Sequence, residues 1–332
     1  MKTSLFMTLL LVCYGLSAQN FTEVPSVLAN TNLLFAEAEF ADINGDGMQD
    51  LLVMGRIVST TYTTKLFVNV GNANFFEIQN TPFAPVGNGD LAFADVNGDG
   101  SQDLLLSGQF NVWYDSTKLY LNDGTGNFSE VLNTPFANVE FSAVAFADVN
   151  GDGSQDLFIT GSGGTTQSSN TRNARLYLND GAGNFTEVFN TPFVPVSSGT
   201  VSFADVDNNG SQDVLISGNV GTGSREALLY LNDGSGNFSL VYNTPFVGVQ
   251  DGSVEFLDAN GNGSQDVIII GRDKFLNRTA TLYLNDGLGN FTIDSTASFA
   301  ALSNDAIDIA DVNGDGLEDV LVSGRTAFTE RV

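Results

Sequence analysis

The chain has 332 residues with 42% hydrophobic content, enough to bury a sizeable core and too apolar for a disordered segment. Acids outnumber bases 39 to 12, a net charge of −27 that argues against nucleic acid or an anionic membrane surface as partner. There is no His, so imidazole catalysts are missing, and the one Cys, Cys13, lies in the N-terminal segment and leaves no pair for an intrachain disulfide.

Residues 1–18 read as a secretory signal. Lys2 gives the positive start, Leu5 to Val12 are mostly apolar, and the small residues Gly15, Ser17 and Ala18 lead to a cut after Ala18. A lipid anchor on Cys13 would want a small residue before it, and Val12 is not one. No later apolar run is long enough to span a membrane. Residues 19–332 are then expected to form one exported repeat domain without disulfides. Asn20-Phe21-Thr22-Glu23-Val24 reads as a lone outer strand at its start.

An acidic loop then recurs six times, starting at Asp42, Asp95, Asp148, Asp205, Asp258 and Asp311, with intervals of 53, 53, 57, 53 and 53 residues. The clearest copy is Asp95-Val-Asn-Gly-Asp-Gly-Ser-Gln-Asp103. Side-chain oxygens at positions 1, 3, 5 and 9, with Gly permitting the sharp turn, suit a hard cation with six to eight oxygen ligands. The pattern predicts up to six calcium ions. The first site would use Asp42, Asn44, Asp46, the Met48 carbonyl and Asp50, and the second Asp95, Asn97, Asp99, the Ser101 carbonyl and Asp103. The third would use Asp148, Asn150, Asp152, the Ser154 carbonyl and Asp156, and the fourth Asp205, Asp207, Asn209, the Ser211 carbonyl and Asp213. The fifth would use Asp258, Asn260, Asn262, the Ser264 carbonyl and Asp266, and the sixth Asp311, Asn313, Asp315, the Leu317 carbonyl and Asp319. With two carboxylates the fifth should bind most weakly. A lone Asn-Gly-Asp-Gly is usually a plain turn, but six in register are not explained that way. An EF-hand would need a following helix and a Glu at position 12, where this chain has residues such as Leu106 and Ile269.

Around each loop the chain repeats one grammar. An apolar stretch (strand A) precedes the loop, and a short branched run such as Leu104-Leu105-Leu106-Ser107-Gly108 (strand B) follows it. After a variable segment comes Lys118-Leu119-Tyr120-Leu121-Asn122 or a relative (strand C), then an Asn-Asp-Gly turn and Gly-Asn-Phe (strand D). Thr-Pro-Phe connections, ending at Phe83, Phe136, Phe193 and Phe246, lead to the next unit. Four short strands at this period predict an all-β fold, a β-propeller of four-stranded blades with six blades' worth of repeats. The units resemble FG-GAP/VCBS repeats over about residues 20 to 325. That resemblance implies a calcium-binding propeller similar to integrin α-chain heads and some lectins. Ser-Gly-Gln, Thr-Gly-Ser and Ile-Gly-Arg after strand B depart from the integrin form and weaken any inference of integrin-like ligands.

The last unit stops after strand B. The reading is therefore either a six-bladed ring lacking one strand or a seven-bladed propeller truncated at the C-terminus, which unpaired edges would favour. In each blade the A–B and C–D turns share one end and the B–C connections the other. The B–C segments, 56–64, 109–117, 161–175, 219–226 and 272–280, are the variable ones, and Trp113 and Tyr114 stand in the second as candidate ligand contacts. The function expected is adhesion or recognition of an extracellular carbohydrate or surface protein, with the style of an exported bacterial protein. Catalysis is not expected, and Glu130, Glu187, Glu255 and Asp308 read as strand residues. The alternatives are a lyase-like polysaccharide enzyme on a calcium-stabilised propeller and a purely structural module.

Overall fold

The structure is a computed structural model that describes residues 10–12, 33–58, 61–72, 74–111, 114–163, 171–312 and 318–325. Every regular element among them is a β-strand. One compact unit spans residues 22–197, and the other comprises residues from 198 onward together with the first strand.

The first unit holds three four-stranded antiparallel sheets, in spatial order the same as chain order. They are β2 (Leu34–Ala41) to β5 (Phe75–Ile78) through β3 (Asp50–Val58) and β4 (Thr61–Asn69); β6 (Gly87–Ala94), β7 (Asp103–Asn111), β8 (Tyr114–Asn122) and β9 (Phe128–Glu130); and β10 (Glu140–Ala147), β11 (Asp156–Ser162), β12 (Arg172–Asn179) and β13 (Phe185–Glu187). The second unit holds β14 (Ser197–Ala204), β15 (Asp213–Gly221), β16 (Ser224–Asn232) and β17 (Phe238–Leu240), then β18 (Gln250–Leu257), β19 (Asp266–Arg272), β20 (Arg278–Asn285) and β21 (Phe291–Ile293). Its last sheet has three strands, β22 (Ser303–Ala310), β23 (Asp319–Arg325) and β1 (Leu10–Val12). These are the propeller-type blades that the repeat predicts.

In that last sheet β1 pairs with the edge of β23 that strand C occupies in the other blades. The rest of residues 1–18 and the strand expected at Asn20–Val24 lie outside the described residues.

The strand-B runs are apolar at consecutive positions because both faces of each sheet are covered. Leu104 and Leu106 enter a core shared with the preceding blade, beside Leu52, Met54 and Leu66. Leu105, pointing the other way, enters the core shared with the following blade, beside Leu157, Ile159 and Tyr177. Val267 and Ile269 against Ile268 and Ile270 repeat the alternation in the second unit.

Strand-C tyrosines hold the Thr-Pro-Phe connections. Tyr120 is fully buried, and its hydroxyl accepts the Ala84 N–H at 2.8 Å while its ring meets Phe83 edge-on at 5.2 Å. Tyr177 treats Ala137 and Phe136 alike, and Tyr283 treats Val247 and Phe246 alike. Such edge-on pairs add about 0.5–1.5 kcal/mol beyond area burial.

Five A strands start with a bulge, seen as a register shift between Gly87 and Asp90 and at the matching place in β2, β10, β18 and β22. Gly89 is needed there, since a Cβ would lie 2.0 Å from the Ser107 carbonyl oxygen.

Among the described residues, the B–C segments of the second and fourth blades are largely strand, and residues 164–170 of the third segment lie outside the described residues. Strand pairing continues through Gln109↔Asp115 and Asn219↔Arg225, leaving short connections. The fourth hairpin turns on Thr222 and Gly223 at positive φ (51° and 83°), a conformation that Gly adopts freely and β-branched Thr only at a cost.

Candidate metal centres

Each acidic loop is organised by its own side-chain oxygens. Asp95 Oδ1 accepts the N–H groups of Gly98 and Asp99 at 2.8 and 3.1 Å, and its Oδ2 accepts that of Gly100 at 2.8 Å. Asn97 Oδ1 takes Asp99 N–H at 2.9 Å, and Asp99 Oδ1 takes Ser101 N–H at 2.8 Å. Asp42, Asn44 and Asp46 repeat this set around Gly45, Gly47 and Met48, as do Asp148, Asn150 and Asp152 around Gly151, Gly153 and Ser154. Carboxylate and carboxamide oxygens at positions 1, 3 and 5 are thereby turned into one small loop. In the fourth loop Asn208 replaces the first Gly and adopts φ 58°, which Asn tolerates.

The ninth residue is the buried end of each loop. Asp103 has no exposure; its Oδ2 accepts Val96 N–H at 3.1 Å and its Oδ1 accepts Asn122 N–H at 2.8 Å. Asp50, Asp156, Asp213 and Asp266 make the same two bonds, to residues 43 and 69, 149 and 179, 206 and 232, and 259 and 285. A carboxylate oxygen has two acceptor sites, so these bonds leave capacity for a cation. Burial pushes Asp103, Asp156 and Asp213 up to about 6 against the lowering effect of those N–H bonds, and the other loop carboxylates raise them further.

The six loops are not equal. Carboxylate oxygens of Asp205, Asp207 and Asp213 all lie within 4.8 Å of one another, a convergence of three negative charges that suits a hard divalent cation. In the fifth loop Asn260 Nδ2 donates to Asp266 Oδ2 at 3.0 Å, and Asn262 Oδ1 accepts Ser264 N–H at 2.7 Å. In the sixth, Asp319 Oδ2 accepts Val312 N–H at 3.2 Å, while Asn313, Asp315 and Leu317 lie outside the described residues.

One set of side chains escaped the sequence reading. Asn122, 2% exposed, donates from Nδ2 to the carbonyls of Gln102 (3.2 Å) and of Ile43 in the previous blade (2.8 Å). Asn179 reaches Val96 and Asn285 reaches Val206 in the same way, each at 2.8 Å. These asparagines tie the first, second and fourth loops to the blade that follows each. The signal was present in the Asn that closes every Leu-Tyr-Leu-Asn strand, read only as a turn residue.

Of the candidate ligand contacts, Tyr114 opens β8 and is 68% exposed, and Trp113 lies outside the described residues. Glu130 and Glu187 pair with Lys118 and Arg175 at 2.7 and 3.0 Å. Among the described residues no helix is long and apolar enough to cross a membrane.

Repeated four-stranded blades with an acidic loop between the first two strands define a propeller-type repeat protein. The chain matches the FG-GAP-like repeat family over residues 42–106, 110–159, 148–216 and 258–322, and it belongs to that family. Such repeats are typical of extracellular, adhesion-like modules and are generally not enzymes. No curated protein matches the chain.

Proposed function

We propose that this chain is a secreted calcium-binding recognition module. In this reading the loops hold calcium for stability, and the B–C ends of the blades meet an extracellular carbohydrate or protein. The observation that carries the metal reading is the convergence of Asp205, Asp207 and Asp213. Calcium fits better than magnesium, which keeps several of its waters and demands a stricter octahedron. The exposed Tyr114 at a B–C end supports the recognition half.

Extracellular modules bind calcium with dissociation constants of about 10⁻⁴ to 10⁻³ M. At ten times that constant each occupied site adds about 1.4 kcal/mol. Calcium titration by calorimetry, with melting in calcium and in chelator, tests the reading. Several ions should bind, chelator should lower Tm, and Asp207→Asn should weaken one site of the set. An absence of calcium uptake together with an unchanged Tm would overturn it. A glycan array and a surface-protein pull-down then test recognition.

A further inference from the structure

The chain carries eight Asn-Gly pairs, seven of them in the acidic loops. Such a pair is open to loss of the side-chain amide, because Gly has no Cβ to hinder attack by its main-chain nitrogen on the Asn Cγ. In a folded chain the attack depends on what holds the asparagine side chain and what holds the Gly N–H.

In the first three loops both are held. Asn44, Asn97 and Asn150 accept the N–H groups of Asp46, Asp99 and Asp152 on Oδ1 at 3.0, 2.9 and 2.9 Å. The following residues, Gly45, Gly98 and Gly151, donate to Asp42, Asp95 and Asp148 at 2.8, 2.8 and 2.7 Å. A carboxylate on the N–H opposes the loss of the proton that attack requires, and it aims the nitrogen away from Cγ. Gly210 and Gly263 are bonded likewise, to Asp205 and Asp258 at 2.9 and 2.8 Å, which protects Asn209 and Asn262. Asn88 is 9% exposed and donates to Gln109, and its Gly89 is packed against the Ser107 carbonyl. Asn313 lies outside the described residues.

Asn260 is the exception among the described residues. Its Oδ1 takes nothing from Asn262, whose N–H goes to Asp258 at 2.9 Å. The Gly261 N–H has no acceptor, while the other main-chain donors of the loop go to Asp258, Asn262 and Asp266. Asn260 and Gly261 are both exposed, whereas Asn44, Asn97 and Asn150 are half-buried. A Cβ on Gly261 would meet nothing within 4 Å, but one on Gly98 would meet the Gly181 carbonyl at 3.6 Å. The looseness has a local cause. Ala259 is exposed at the place where Ile43, Val96 and Val206 are buried and seat their loops.

We propose that Asn260 is a deamidation site, and that its conversion gives the fifth loop a third carboxylate. The Gly261 nitrogen gives up its proton and attacks Asn260 Cγ. The new C–N bond closes a five-membered imide, and the Cγ–Nδ2 bond breaks to release ammonia with that proton. Water then opens the imide: its oxygen stays on the carbon attacked, and the Gly261 nitrogen regains a proton. Opening at Cγ leaves an aspartate on an unaltered main chain; opening at the other carbonyl leaves an isoaspartate. No oxidant takes part, and the only co-reactant is water.

The product suits this loop. Asn260 Nδ2 donates to Asp266 Oδ2 at 3.0 Å. A carboxylate in its place sets two negative groups face to face, which a cation or a proton must relieve. Positions 1, 3, 5 and 9 would then read Asp, Asp, Asn, Asp, the order of the fourth loop, where Asp205, Asp207 and Asp213 converge within 4.8 Å. The gain of a calcium site rests on the function proposed above; the choice of Asn260 does not.

Peptide mapping by mass spectrometry, on the full chain held in warm, mildly alkaline, calcium-free buffer below its melting point, tests the site. Asn260 should convert about tenfold or more faster than Asn44, Asn97, Asn150, Asn209 and Asn262, whose Gly N–H must first leave a carboxylate. In urea these rates should converge. Calorimetry then compares calcium uptake by wild type, Asn260→Asp and Asn260→Gln, whose longer side chain resists ring closure. Asn260→Asp should tighten the weakest calcium step about tenfold, incubated wild type should move the same way, and incubated Asn260→Gln should stay weak. Conversion at Asn260 no faster than at the other five, or a preference that survives urea, overturns the proposal. So does an Asn260→Asp chain whose weakest step equals that of wild type while other loops bind. Absence of calcium uptake by every chain sinks the calcium reading together with the completed site.

Discussion

Replacing Asn122 with Ala should weaken the unit of residues 22–197 far more than loss of one turn residue would. The side chain donates to the Ile43 and Gln102 carbonyls and accepts from Gly124 and Gly126, both at 3.2 Å, at a position 2% exposed. A hydrogen bond contributes about 0.5–1.5 kcal/mol net, and a buried group left without a partner costs about 1–3 kcal/mol. Allowing for two long bonds, the change should cost about 2–4 kcal/mol, or roughly 5–15 °C in Tm. Asn122→Asp is the sharper variant, because it keeps the shape but sets a carboxylate against two carbonyls. It should cost at least as much as Ala. Asn127→Ala is the control, since that side chain bonds Asp123 and Thr125 on the exposed side of the same turn. Urea unfolding of the full chain, followed by circular dichroism, reads all three. A midpoint for Asn122→Ala indistinguishable from that of Asn127→Ala would refute the reasoning.

Two further predictions concern the same unit. Tyr120→Phe strips the partner from a buried Ala84 N–H and should cost about 1–3 kcal/mol, read by thermal melting; a neutral result would mean that the connection is held by ring packing alone. Burial, reinforced by the Asp90 carboxylate, pushes Glu37 and Glu39 up to about 8 from an ordinary 4.5. Between those values the folded chain keeps protons that the unfolded chain has released, so stability should fall as pH rises from about 4.5 to about 8 and level off above. Self-repulsion of so acidic a chain gives the same trend, and Glu39→Gln separates the two. That variant should melt higher than wild type at the alkaline end of the window and flatten the slope; an unchanged slope would remove Glu39 from the account.

The sequence exposed those parts of the molecule that depend on local rules. A run such as Leu104 to Leu106 is too short for a helix and too uniformly apolar for a half-exposed strand, so it could only be a strand covered on both faces. The acidic loops were legible because Asp and Asn organise their own turns. Contacts between blades were not legible in the same way. Nothing local marks Asn122 as a residue that reaches a carbonyl in the preceding blade, or Tyr120 as the anchor of the Ala84 backbone. The extent of strand in the B–C segments of the second and fourth blades was hidden for a related reason. Their polar composition reads as loop, yet a two-stranded ribbon needs no apolar face where it projects past the blade.

Asn122 reaches back 79 residues to Ile43 and Asn285 reaches back 79 to Val206, but Asn179 reaches back 83 to Val96. All three bonds are 2.8 Å long. The four additional residues belong to the B–C connection of the third blade and are absorbed there without moving the loop or its tie. Selection can therefore lengthen, shorten or recharge one end of a blade while the other end keeps its geometry. A chain built this way can alter one hairpin end at a time while the ties of Asn122, Asn179 and Asn285 keep their geometry.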